Sequence, residues 1–224
     1  MWFFPYMKFH FLTIFPQMIE TYLGESILKR AKEKKLAYFD VCNIRDYTRD
    51  KHKKTDDRAY GGGPGMVMTA EPILNAFSKL KFKGKKIKTI QLSPAGKKFT
   101  NDIAKKMSKQ YSDIVFVCGR YEGVDDRVRN ILKADEYSIG DYTLTGGELP
   151  ALVMTDAIIR QLKGVLGKNE SIEENRMASP RVFTRPEILK WPKGKSAKNY
   201  KVPKVLLNGN HKDIEEWRKK QKFN

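Results

Sequence analysis

The protein has 224 residues, 40% of them hydrophobic, enough for one large domain or a domain with a smaller appendage. Its 44 Lys and Arg against 26 Asp and Glu give a formal net charge of +18, which suits a polyanionic partner: nucleic acid ranks first, a membrane surface second, and plain solubility is the remaining explanation. The two distant cysteines, Cys42 and Cys118, exclude a disulfide framework and a cysteine metal site, and no apolar run is long enough to span a membrane.

Met1 to Tyr6 is aromatic but too short and uncharged for a signal peptide, and reads as an extension from an early start codon. Lys8 to Phe15 reads as a strand ended by Pro16, and Gln17 to Lys34 as one helix with Met18, Ile19, Tyr22, Leu23, Ile27 and Leu28 at helical spacing. Leu36 to Asn43 is a second strand, and Asp46 to Arg58 a basic loop. Tyr60 to Met66 holds four glycines and a proline and cannot be regular structure. A short helix spans Glu71 to Leu80. Lys86 to Leu92 is a strand stopped by Ser93-Pro94-Ala95-Gly96, and Thr100 caps a helix to Tyr111. Ile114 to Cys118 is a strand, Asp125 to Leu132 a helical turn or two, Tyr137 to Ile139 a short strand and Leu149 to Leu162 a helix. Alternating strands and helices predict an α/β fold with a parallel sheet, whose ligands sit beyond the carboxyl ends of the strands. Ser93-Pro94, Gly119-Arg120 and Gly140-Asp141 fall at such ends and could converge.

After Gly167 the character changes. The reading assigns 1–167 to one domain, 168–183 to a polar linker or loop, and 184–224 to a small basic domain. Thr184-Arg185-Pro186-Glu187 opens a short helical segment there, and Asp213 to Gln221 is a basic helix.

Several groups of residues carry potential chemistry, each with an ordinary structural explanation beside it. The glycine turns between Gly119 and Pro150 either line a pocket with main-chain N–H and C=O groups or are plain loops. The run at Tyr60–Gly65 is neither a Walker loop nor a dinucleotide fingerprint. Glu122, Asp125, Asp126 and Asp141 could hold Mg²⁺ or form surface salt bridges, and no spacing selects a metal site. Arg160, among Ile158, Ile159 and Leu162, either faces water or meets an anion. Glu173 and Glu174 could act as a general base or be solvated.

Taken together the motifs closely resemble the bacterial tRNA (guanine-N1)-methyltransferase family, the TrmD family of the SPOUT class. The matching runs are Phe15-Pro16, Asp56 to Met66, Leu92 to Gly96, Cys118 to Asp125, Ser138 to Tyr142 and Thr145 to Ala151. Gly164 to Gly167, Thr184 to Glu187 and Val205 to His211 follow in order, so nearly the whole chain is covered. The resemblance implies a knotted SPOUT-type parallel sheet (a trefoil knot), a linker, a small helical C-terminal domain and a cytoplasmic homodimer with active sites at the interface. It implies S-adenosylmethionine as methyl donor and tRNA as substrate, methylated on guanine N1 at position 37 beside the anticodon. A sister enzyme with another RNA target, or a catalytically impaired RNA-binding relative, is the alternative.

By the same resemblance the donor pocket comprises Leu92, Ser93, Pro94, Gly119, Tyr121, Glu122 and Gly123, then Ser138, Ile139, Gly140, Tyr142, Leu144, Gly146, Gly147 and Pro150. Asp56 and Gly65 fall where the family meets the anticodon loop and target guanine. Glu122 stands where the family associates the target base with Mg²⁺-dependent activity; no residue is assigned as a metal ligand. Guanine N1 must lose a proton to attack, and Arg160, at the family's arginine position, would stabilise the charge that grows on O6. Two departures stand out. The family's aspartate base is replaced in register by Asn175, and a neutral amide is not a base, so Glu174, or failing that Glu173, takes the role. The chain also ends soon after Trp217-Arg218, leaving part of the tRNA grip to nearby lysines.

Overall fold

Five strands build the centre of the first unit: β1 (Met7–Thr13), β2 (Ala37–Asn43), β5 (Ile87–Lys98), β6 (Asp113–Val117) and β7 (Asp135–Ser138). They pair in parallel in the order β2-β1-β6-β5-β7. The structure, a computed structural model, describes residues 6–166, 181–194 and 196–220. The chain divides into two units, Met1–Gly167 and Lys168–Asn224.

All five residues of β6 are buried, and they alternate between two cores. Ile114 and Phe116 join Phe9 and Phe11 of β1 on one face, while Val115 and Val117 join Leu12 and Ile14 on the other. Burial of each large side chain stabilises by roughly 1.5–3 kcal/mol, so the continuous apolar run makes β6 a strand covered on both sides. Helices α1 (Pro16–Leu23), α2 (Ser26–Glu33), α4 (Asn101–Gln110) and α6 (Glu148–Ile159) cover the first face. Helices α3 (Ala70–Ser78) and α5 (Asp126–Leu132) cover the second.

Three expectations change. The helix expected over Gln17–Lys34 is two helices, broken at Gly24-Glu25, where α1 is capped and Ser26 takes a left-handed φ of 49°. The strand expected to stop at Leu92 continues to Lys98 after a register shift between Leu92 and Lys97. Residues 93–96 bulge out of the sheet before the chain rejoins β7 at Tyr137 and Ser138. A short antiparallel pair, β3 (Asp56–Asp57) with β4 (Val67–Met68), frames the glycine-rich run that reads only as loop.

The second unit is mixed rather than helical, which corrects the expected small helical domain. Its described part holds an antiparallel hairpin of β8 (Ile188–Trp191) and β9 (Lys198–Lys201), a turn over Lys204–Leu206, and helix α7 (His211–Lys220). The helical segment expected from Thr184 is absent: the residue before a proline is biased toward extended backbone, and Pro186 and Pro192 bracket β8. Among the described residues no helix is long and apolar enough to cross a membrane.

At the amino ends of the strands lies a buried polar cluster. His10 is fully buried, with Nδ1 3.2 Å from Asp40 Oδ2 and Nε2 3.2 Å from Asp113 Oδ1. Burial pulls the imidazole below its ordinary 6.5, against the hydrogen bond to Asp113, which pulls it up. Burial also pushes the Asp113 carboxyl up, but N–H groups of Lys83 and Gly84, the Ser112 hydroxyl and His10 outweigh it and hold it below the usual 3.8. Both groups have depressed folded-state values, so both favour folding at high pH and lose that contribution on acidification. The urea midpoint is expected to be flat above pH 6.5, to fall as pH drops below it, and to fall again below 3.8. In His10→Gln the upper decline should vanish. A midpoint that rises on acidification from pH 6.5 would show instead that the fold holds the imidazolium.

Candidate active site

The carboxyl ends of β5, β6 and β7 face one cavity of about 420 Å³. Three loops wall it. The β5 bulge contributes Leu92, Ser93 and Pro94; the turn after β6 contributes Gly119, Tyr121, Glu122 and Gly123; the segment after β7 contributes Ser138, Ile139, Tyr142, Leu144, Gly146 and Gly147, with Pro150 from α6. Of the fifteen residues expected at a donor pocket, only Gly140 is not in the wall; it is buried beneath the Tyr142 ring. The wall also contains residues the sequence reading missed, among them Gln91, Val124, Asp126 and Glu136.

A buried ion pair ties the loops together. Arg120 Nε donates to Glu148 Oε2 at 2.9 Å, and the other carboxylate oxygen accepts from the Thr13 hydroxyl at 2.7 Å. The guanidinium also donates to Thr145 O and lies over the Phe15 ring, 4.6 Å from its centroid. Glu148 sits in the first turn of α6, where the helix dipole favours an anion. Just before it, the backbone passes so close to the end of β6 that a Cβ on Gly147 would lie 2.8 Å from Cys118 Cα. The Cys118 thiol is pushed well up by burial, with the Glu148 carboxylate adding to the shift, so it is no nucleophile.

The glycine-rich run reaches the same rim. Met68 N–H donates to Gly123 O, Glu122 N–H to Met66 O and Asp125 N–H to Met68 O. Gly65 packs so tightly there that a Cβ would lie 2.6 Å from Glu122 Cγ and Oε1. Asp56 pairs with Met68 across the β3–β4 ribbon, which places it on the element that carries Gly65.

Not every expected residue joins the cavity. Arg160 follows the last turn of α6 and is absent from the wall; at 1.5 Å per residue it lies roughly 15 Å along the helix from Pro150. Glu173, Glu174 and Asn175 lie outside the described residues. Asp125 is engaged by Arg127, and Asp126 by Arg129 and Asn130. Among the described residues, no group of three His, Cys, Asp or Glu side chains could hold a metal ion.

On one edge of the site the exposed side chains Phe15, Met18 and Tyr22 of the α1 region and Leu149 and Val153 of α6 form an apolar face. The Tyr22 hydroxyl donates to Asp156 and joins the two helices.

Removing one member of a buried ion pair leaves the other uncompensated, at a cost of roughly 3–5 kcal/mol. Glu148→Gln keeps the shape and is expected to lower the unfolding free energy by about 3 kcal/mol, measured by urea titration. An unchanged midpoint would show that the pair does not brace the loops.

Comparison with known proteins agrees with this geometry. A family model described as tRNA (Guanine-1)-methyltransferase TrmD matches residues 7–224. A protein of Caldicellulosiruptor saccharolyticus named tRNA (guanine-N(1)-)-methyltransferase is 48% identical over 219 residues, 96% of this chain and 85% of its own length. Proteins of the same name from Clostridioides difficile and Mycoplasmopsis pulmonis are 44% and 46% identical, each with 92% of its length covered. With one family matched from the first strand to the last residue, the chain belongs to the tRNA (guanine-1)-methyltransferase family.

Proposed function

We propose that this protein methylates N1 of guanine in tRNA, at position 37 beside the anticodon, with S-adenosylmethionine as the methyl donor. The observation that carries the reading is the contact between Gly65 and Glu122, which joins the ribbon expected to meet the target base to the cavity expected to hold the donor. The cavity is of the size of small-molecule sites, with Leu92, Ile139 and Pro150 to flank a flat base. Its lining cation, Arg120, is engaged by Glu148, while Glu122, Asp126 and Glu136 lie in the wall, a balance that suits a positively charged sulfonium. The donor supplies an electrophilic methyl group on sulfur. The protein's own work is to place guanine N1 in line with it, to accept the N1 proton, and to stabilise the charge on O6. As N1 attacks, the N–C bond forms, the S–C bond breaks, and the sulfonium becomes a neutral thioether.

Glu174, or failing that Glu173, is the proton acceptor in this reading, because Asn175 occupies the family's aspartate position. Arg160 stabilises O6. Its distance along α6 from its own cavity, and the apolar face of α1 and α6, support a homodimer in which a second copy brings Arg160 to the site. The trefoil knot, the C-terminal unit as a tRNA-gripping domain, and a cytoplasmic setting belong to the same reading. The chain's path from β7 at the sheet edge back to Gly119 and Thr13, through the loops after β5 and β6, supports the knot.

A second reading, an RNA-binding relative that has lost the base, is favoured by Asn175 alone. Single-turnover methyl transfer to tRNA carrying guanine at position 37, with mass spectrometry of the nucleoside, decides between them. The expected product is N1-methylguanosine. Glu174→Gln is expected to lower the rate by about 10²–10⁴, the contribution of a positioned base, and Asn175→Ala to leave it nearly unchanged. Full rates in both Glu174→Gln and Glu173→Gln would remove these residues from the mechanism.

The shared site has its own test. Arg160→Ala and Glu122→Ala are each expected to be nearly inactive. Mixed and re-equilibrated, they should recover about a quarter of wild-type activity, because half the dimers carry one intact site of two. A mixture no more active than its parents would place Arg160 in its own protomer's site.

A further inference from the structure

Successive residues of a strand point to opposite faces of the sheet. On β5, Ile90 and Leu92 pack with the core under α1, α4 and α6. Gln91 therefore points the other way, in register with Val117 on β6 and Glu136 on β7. That face is otherwise apolar here, with Val115, Val117 and Val128 fully buried. Gln91 is only 8% exposed, and its Oε1 has no hydrogen-bond partner among the described residues. A leucine of similar volume would fill the position without leaving an acceptor unpaired. Native structures pair nearly all such groups, and an exception calls for a specific explanation. Gln91 supplies one itself: it forms part of the cavity wall, next to Leu92 and Ser93.

We propose that Gln91 is a donor-recognition residue, whose Oε1 accepts a hydrogen bond from an amino N–H of the bound methyl donor. The proposal rests on the donor-site reading given above. Two groups of S-adenosylmethionine have the required chemistry, the exocyclic amine of adenine and the α-amino group of the methionine arm. The sulfonium and the carboxylate have no N–H to offer.

The test is calorimetric titration of wild type and Gln91→Leu with three ligands. These are S-adenosylhomocysteine, its inosine analogue lacking the exocyclic amine, and its deaminated analogue lacking the α-amino group. Gln91→Leu is expected to bind S-adenosylhomocysteine about tenfold more weakly, a loss of about 1.4 kcal/mol. Against the analogue that lacks the partner amine the two proteins should bind alike, and this identifies which amine is read. Gln91→Glu keeps an acceptor and is expected to keep the preference for the amine-bearing ligand. Melting temperatures of the ligand-free variants establish that folded proteins are being compared. Equal weakening toward all three ligands would mean that the substitution merely reshapes the cavity, and no weakening would mean that the acceptor is satisfied in another way; either overturns the proposal alone. Failure of wild type to bind S-adenosylhomocysteine would sink the donor-site reading together with it.

Discussion

The cavity depends on one buried ion pair. Arg120 comes from the turn after β6, Glu148 from the start of α6, and Thr13 from the end of β1, three segments far apart in the chain. Their carboxylate, guanidinium and hydroxyl are all withdrawn from water, so each is satisfied only while the other two stay in place. This gives the loops a single arrangement, since a half-formed network would leave a charge buried without its partner. The approach of Gly147 to Cys118 belongs to the same constraint: the pair can close because no side chain separates the two backbones.

The sheet keeps its two polar centres apart. The His10–Asp113 cluster lies at the amino ends of the strands, and the cavity at their carboxyl ends. The first concerns stability and the second ligand chemistry, with buried β6 between them. A change in protonation at the amino-end cluster therefore acts on the fold as a whole and has no direct contact with the cavity wall. The same arrangement leaves the cavity without a reactive nucleophile, because the one thiol nearby, Cys118, is buried and held protonated. A site of this kind positions its ligands and handles a proton, and leaves bond-making to them.

Much of this was legible in residue order. Strand and helix alternation gave the parallel sheet, and the glycine turns at strand ends gave the three loops that meet, because both signals are local. What could not be read was long-range. A helical period runs through Gly24-Glu25, yet α1 and α2 part there. Ser93-Pro94 looks like a strand end, and only pairing with β7 shows that β5 resumes at Lys97. Ile188 to Trp191 has no marked alternation, and its partner β9 makes it a strand. Gln91 was visible as a polar residue between Ile90 and Leu92, but a strand in a parallel sheet gives no sign of which polar residue faces a cavity. Arg160 stood out in an apolar helix, while its separation from the cavity required the helix itself.

The glycine-rich run between β3 and β4 is a tether of fixed length. Asp57 and Val67 pair at its base, and Met66 is bonded to Glu122, so the span from Arg58 to Gly65 must leave and return over eight residues. A chain that goes out and back over that length extends at most about 14 Å from its base. Tyr60, fully exposed near its tip, can thus sweep a hemisphere only a few nucleotides across. Whatever this arm touches on an RNA lies next to the base being modified, and recognition of more distant parts of the molecule falls to other surfaces of the protein.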